Sequence, residues 1–152
     1  MKLSEFILQE RGPYLFDHYI HPVACPSVLG NFVLEFQVDD AGKRPPDEKM
    51  LNAIVALRDA FLRDTSSLVT LVHGQYLLAT RDDGWSNGCG LPIGLTEIQL
   101  EPLLNGGTIT VSQDETDADE PNPGRVYMSP EWDEEHGLYV ARIEDRWVKV
   151  DW

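Results

Sequence analysis

The chain has 152 residues, 42% of them hydrophobic, which is enough for one folded domain with its own core. Its formal net charge of -14, from 26 acidic and 12 basic side chains, disfavours nucleic acid as a partner and favours cations or basic surfaces. Apolar runs fall short of the roughly 20 residues that cross a membrane, and the N-terminus lacks a signal-peptide pattern. We therefore expect one domain over residues 1–152, in the cytoplasm.

The N-terminal part of the sequence predicts a short helix followed by a β-hairpin. Ser4 is a suitable N-cap for a helix over residues 4–9. Residues 31–38 alternate between apolar and polar side chains, which is the period of a half-buried strand. With a turn at 27–30, this strand is expected to pair with a strand inside the aromatic and β-branched run 14–24.

Two main helices are predicted in the middle of the chain. Pro46, Asp47 and Glu48 form a favourable helix start, and apolar residues then recur at helical spacing as far as Leu62. A break at 63–66 separates this helix from a second one over residues 67–81. Both have an apolar side that needs a sheet to cover it.

The remainder predicts mostly strands. A glycine-rich loop over 82–94 and a short helix from Thr96 lead to a strand over 108–112. We expect residues 113–124 to be an acidic loop that is too polar to bury, followed by another strand and a C-terminal hairpin over 137–152. The predicted fold class is α+β: an antiparallel sheet with two main helices packed on one face and a C-terminal β-hairpin.

The negative charge is concentrated near the C-terminal half. Between Asp114 and Glu135 the chain has nine acidic side chains and one base, Arg125. We expect them to form one exposed surface that attracts a basic protein. Two tryptophans in predicted loops are candidate anchors for that partner. The predicted partner-contact residues are Asp114, Glu115, Asp117, Asp119, Glu120, Glu131, Trp132, Asp133, Glu134, Glu135 and Trp85.

Other side chains offer chemistry, but structural roles explain them better. His136 lies among carboxylates, and Cys89 lies in a glycine-rich loop that lacks a nearby base. His18, His21 and Cys25 do not have the spacing of a zinc site. Two cysteines are too few for a disulfide framework, although a single bridge stays open. We predict no cofactor, no metal and no catalytic residues.

Residues 131–138, which read E-W-D-E-E-H-G-L, are followed by an alternating hairpin. This pattern resembles the W-D-x-E-H-G-L ending of a loose group of small bacterial domains of uncharacterised function. The resemblance implies a single α+β domain and, for some members, a toxin–immunity gene neighbourhood. The expected function is therefore an acidic protein-binding module, such as an immunity protein that masks the basic surface of a toxin. It would be a monomer or weak homo-oligomer. The alternative is a metal-dependent or cysteine-dependent enzyme.

Overall fold

The computed structural model describes residues 1–9, 16–39, 44–81, 84, 92–133 and 136–151. Its strands are β1 Ile7–Leu8, β2 Phe16–Ile20, β3 Cys25–Ser27, β4 Gly30–Asp39, β5 Gly107–Ser112, β6 Gly124–Met128, β7 Leu138–Ile143 and β8 Arg146–Val150. Its helices are α1 Glu48–Arg63, α2 Thr65–Thr80, α3 Glu97–Leu100 and α4 Gln113–Asp117. Short 3₁₀ turns lie at Leu3–Glu5, Glu101–Leu103 and Glu131–Asp133.

The strands form a sheet in the order β1-β2-β4-β5-β6-β7-β8, with β3 also paired to β4. The predicted α+β class is confirmed, because α1 and α2 pack on the sheet and β7 and β8 form a C-terminal hairpin. One pair differs from the expected antiparallel pattern: β4 and β5 run parallel. The reason is that α1 and α2 lie in the connection between them, and such a crossover returns the chain in the same direction.

The helix-covered face of the sheet holds the core. In β4, the four alternate residues Phe32, Leu34, Phe36 and Val38 are buried, as the sequence pattern predicts. Phe32 meets Phe61 of α1 with ring centroids 4.8 Å apart. The intervening residues of β4 point to the opposite face, on which the two main helices do not pack and only the short helix α4 lies, at one end. We call this second surface the open face.

The predicted helix over residues 4–9 is wrong. A 3₁₀ turn is followed directly by β1, which pairs with β2, and the Gln9 amide donates to the His18 carbonyl oxygen at 2.8 Å. Phe6, which lies between the 3₁₀ turn and β1, is buried against Phe36, with ring centroids 4.2 Å apart. Burial of this ring and pairing with the sheet outweigh the local helix signal.

The segment after β5 also differs from its prediction. The expected loop begins with α4, whose Gln113 and Thr116 are each only 2% exposed. The Gln113 amide donates to the Arg44 carbonyl oxygen at 3.3 Å, and the Thr116 hydroxyl donates to the Ser112 carbonyl oxygen at 2.7 Å. Polar side chains can be buried here because each finds a backbone acceptor.

The junction of the two main helices is tied to the C-terminal hairpin, and it lies at the predicted break. Asp64 separates α1 from α2 and pairs with Arg142 of β7. The Trp147 indole N–H donates to the Asp64 carbonyl oxygen at 3.0 Å. The hydrogen bond from Arg142, followed by one from Ser67, lowers the pKa of the Asp64 carboxyl. No helix in the described ranges has the length and apolar character to span a membrane.

We expect Asp64→Asn to lower the free energy of unfolding at pH 7, because Arg142 loses its charged acceptor. The pKa of Asp64 is lower in the folded protein, so its contribution is present above the unfolded value of about 3.9 and disappears as the pH falls through the folded pKa. The difference between variant and wild type should therefore shrink in acid. Urea unfolding at pH 7 and near pH 3 measures it. Asp59→Asn, an exposed change on α1, is the control; an equal loss there would contradict the prediction.

Candidate functional site

The predicted acidic surface is divided between two ends of the sheet. Asp114 to Glu120 precede β6, whereas Glu131 and Asp133 follow it. A five-residue strand spans about 17 Å. The described carboxylates therefore do not form the one continuous surface that we expected, because β6 lies between Asp114–Glu120 and the pair Glu131 and Asp133.

Trp132 is not available as a surface anchor. Its side chain is only 4% exposed and meets the Tyr76 ring edge-on, with centroids 5.4 Å apart. The prediction that it contacts a partner is corrected: the 3₁₀ turn at Glu131–Asp133 directs its indole into the core. Three other predicted contacts, Trp85, Glu134 and Glu135, lie outside the described residues.

The motif around Trp132 has structural contacts. The Gly137 amide donates to the Asp133 carbonyl oxygen at 2.8 Å, and His136 Nδ1 lies 3.2 Å from Asp133 Oδ1. A Cβ on Gly137 would overlap the Tyr127 ring. Leu138 then enters the core. The described residues of this motif lie between β6 and β7 or enter β7, and these contacts give them a structural role.

The larger group of carboxylates gathers where β4 and β5 end and α1 begins. We call this region the acidic end. Three bases lie there among the described residues: Arg44, Lys49 and Arg125. The carboxylates outnumber them and are Asp39, Asp47, Glu48, Asp114, Glu115, Asp117, Asp119 and Glu120.

Each of the three bases pairs with one carboxylate of α4 or the residues after it. Arg44 pairs with Asp117, and Lys49 pairs with Asp119. These hydrogen bonds raise the pKa of Arg44 and lower that of Asp119. Because both pairs are exposed and screened by solvent, they contribute little to stability, and their carboxylates can exchange partners at little cost. Asp114 and Glu120 are also exposed and add to the local negative potential.

A groove runs along the open face beside the acidic end. Its floor consists of the small outward side chains of β5, which are Thr108, Thr110 and Ser112. Larger side chains stand on both neighbouring strands: Thr108 is paired with Tyr127, and Thr110 lies between Glu35 and Arg125. The groove has a volume of about 320 Å³. It results from the register, which places small residues between large ones.

The groove carries negative charge at Glu35, Asp114 and Glu115. Glu35 Oε1 lies 3.1 Å from His18 Nδ1 and accepts from the Gln37 amide at 3.0 Å. Glu115 Oε1 accepts from Arg125 at 3.2 Å, but its second oxygen, Oε2, is buried and has no hydrogen-bond partner. Burial is the main cause that raises the pKa of Glu115. Arg125 also donates to the carbonyl oxygens of Asn122 and Gly124, at 2.8 and 2.9 Å.

The groove is not predictable from the sequence alone. The sequence does contain the two patterns that form the groove. T-I-T-V-S in β5 alternates small polar with apolar residues, and R-V-Y in β6 alternates large polar residues with an apolar one. However, the alternation does not say which strands become neighbours. The pairing of β4 with β5 joins segments that are far apart in the chain.

The alternative enzyme hypothesis gains no support from the described residues. Within the described ranges, no three His, Cys, Asp or Glu side chains come together as a metal site. His73 Nε2 lies 2.7 Å from the Leu95 carbonyl oxygen, and His21 Nδ1 accepts from the Val23 amide at 3.1 Å. Cys25 is a buried free thiol whose pKa is raised by burial. Cys89 lies outside the described residues.

Comparison with protein-family models, curated proteins and solved structures finds no match to this chain. The resemblance in residues 131–138 therefore remains a sequence resemblance. Function has to be argued from the charge and shape of the acidic end and the groove.

Proposed function

We propose that this protein is an acidic protein-binding module that docks on a basic protein through its acidic end. The observation that carries the proposal is the excess of carboxylates over bases there, with Asp114 and Glu120 exposed beside the paired Asp117 and Asp119. A negative potential of this kind steers a basic partner to the surface and raises the association rate.

The more specific form of the proposal is an immunity protein that acts in the cytoplasm and masks the basic surface of a cognate toxin. It rests on the resemblance in residues 131–138 together with the charge. Carboxylates that occupy the basic surface of a nucleic-acid-binding toxin would compete with the phosphates of its substrate. Trp132 and the smaller acidic group after β6 are not needed for this role.

The test is binding to the product of the adjacent gene, measured at low and high salt. We expect Asp114→Asn combined with Glu120→Gln to slow association at low salt, by about fivefold for each lost charge contact. The wild-type affinity should fall as the salt concentration rises, because the attraction acts between exposed charges.

A matched control removes two carboxylates from the opposite end of the sheet: Glu97→Gln combined with Glu131→Gln. This variant has the same net charge as the first, so a general charge effect would slow both equally. Equal slowing, or the absence of binding to the adjacent gene product at every salt concentration, would contradict the proposal.

A further inference from the structure

The groove on the open face is more than a gap beside the acidic end, because its floor, walls and charges match one kind of side chain. We propose that it receives the side chain of an arginine from the basic partner. This inference rests on the proposed function, since it assigns a specific contact to the same interaction. It adds a second region of the molecule, on the open face of the sheet, to the exposed charges of the acidic end.

The shape of the groove suits an extended side chain. The threonines on β5 form a shallow floor, and the residues on β4 and β6 rise on either side of it. A volume of about 320 Å³ is at the lower end of the range for ligand pockets. It accommodates one long side chain and not a folded segment of a partner.

The aromatic wall favours a flat cation. Tyr127 and Tyr139 are cross-strand neighbours, with ring centroids 4.7 Å apart and ring planes at 38°. Burial is the main cause that raises the pKa of Tyr139, and a tyrosine phenol is neutral at physiological pH even without that shift. A guanidinium group stacks on such rings and gains about 0.5–2 kcal/mol from the attraction between cation and ring.

The carboxylates supply the opposite charge. Glu35 stands on one side of the floor, and the buried Oε2 of Glu115 lacks a hydrogen-bond donor. This oxygen is shielded from solvent, so an arriving cation is attracted by the charge of Glu115 and not by a hydrogen bond to Oε2. Arg125 also lies in the groove, but its guanidinium is held by Glu115 and two backbone carbonyls. Asp114 also lines the groove, so the net charge of the groove is negative.

Arginine fits these features better than lysine. Its planar group has five donors that can reach carboxylates on different sides while its face lies on an aromatic ring. The ammonium group of lysine is a compact and more strongly hydrated charge. An arginine held in this way would be a central contact of the interface, where tightly bound arginines are enriched.

The test uses the whole chain, labelled with ¹⁵N, and a short blocked peptide with a single arginine between glycines and serines. We expect a saturable titration, with shifts at Thr108, Thr110 and Tyr127 and a dissociation constant in the millimolar range. The same peptide with lysine should bind several-fold more weakly, and the peptide with neutral citrulline should not bind. Absence of saturable shifts, shifts confined to other surfaces, or equal binding of the citrulline peptide would overturn the inference. Tighter binding of free arginine amide than of the peptide would assign the groove to a small molecule and would overturn it as well.

Two substitutions test the groove in different ways. Glu35→Gln keeps the size of the side chain and should weaken peptide binding roughly tenfold, the loss of one charge-assisted hydrogen bond. Thr110→Tyr should block the groove without changing the charge. Asp59→Asn on α1, outside both the groove and the acidic end, should leave peptide binding unchanged. If Thr110→Tyr and Glu35→Gln leave the affinity for the basic partner unchanged, while Asp119→Asn with Glu120→Gln, both outside the groove, weakens it, the groove inference fails and the proposed function stands.

Discussion

Gly106→Ala is expected to lower the free energy of unfolding by at least about 4 kcal/mol, or to prevent folding altogether. Gly106 has φ of 75°, and a Cβ there would lie closer than 3.0 Å to the carbonyl oxygen of Asn31. The backbone cannot easily move away, because the Gly106 amide donates to the Leu29 carbonyl oxygen at 2.9 Å and β5 begins at the next residue. Chemical unfolding followed by circular dichroism measures the change.

Gly94→Ala is the matched control for this prediction. Gly94 has nearly the same backbone angle, with φ of 76°, but nothing lies within 4 Å of a Cβ at that position. This variant should lose only about 1–2 kcal/mol of unfolding free energy, the cost of holding an alanine at positive φ. If both variants lose the same amount of unfolding free energy, the close approach between the start of β4 and the residue before β5 does not limit this position.

Trp132→Ala should cost about 3–5 kcal/mol of stability, the usual loss for a large aromatic side chain removed from a core. The indole supports Tyr76, whose hydroxyl donates to the Pro92 carbonyl oxygen and accepts from the Leu95 amide at 3.2 Å. The cavity would therefore also loosen the chain that leads into α3. Thermal and urea unfolding of the variant measure the loss.

Trp132→Phe separates the core role from a partner-binding role. Phenylalanine keeps an aromatic contact with Tyr76 and should lose much less stability than alanine does. A surface anchor would behave differently: both variants would stay as stable as the wild type, and only partner binding would fall. That result would contradict the burial of this side chain.

The parts of the fold that depend on local periodicity could be predicted from the sequence. The alternation in β4, the apolar spacing in α1 and the position of the break before α2 agree with the structure. So does the hairpin turn between β7 and β8, where Glu144 and Asp145 have φ of 48° and 59°. Such angles suit the tight two-residue turns that join antiparallel strands.

The parts that depend on distant contacts could not be predicted. Phe6 is buried by a ring in β4, and Gln113 is buried because Arg44 presents a carbonyl oxygen to it. The same limitation applies to the candidate site. The run of acidic residues looks continuous in the sequence, but β6 divides it, and bases such as Lys49 come from another part of the chain. The groove likewise depends on which strands are neighbours.

The parallel pairing of β4 with β5 at the centre of the sheet affects the order in which the sheet can form. The strand β4 is synthesised early, but its neighbour on one side, β5, is separated from it by residues 40–106. Ribosomes make the chain from its N-terminus, so both main helices emerge before the strand that joins the two halves of the sheet. Closing so long a loop has an entropic cost that local contacts do not offset. Any fragment that stops before Gly107 lacks β5 and leaves that edge of β4 as an unpaired template for other chains.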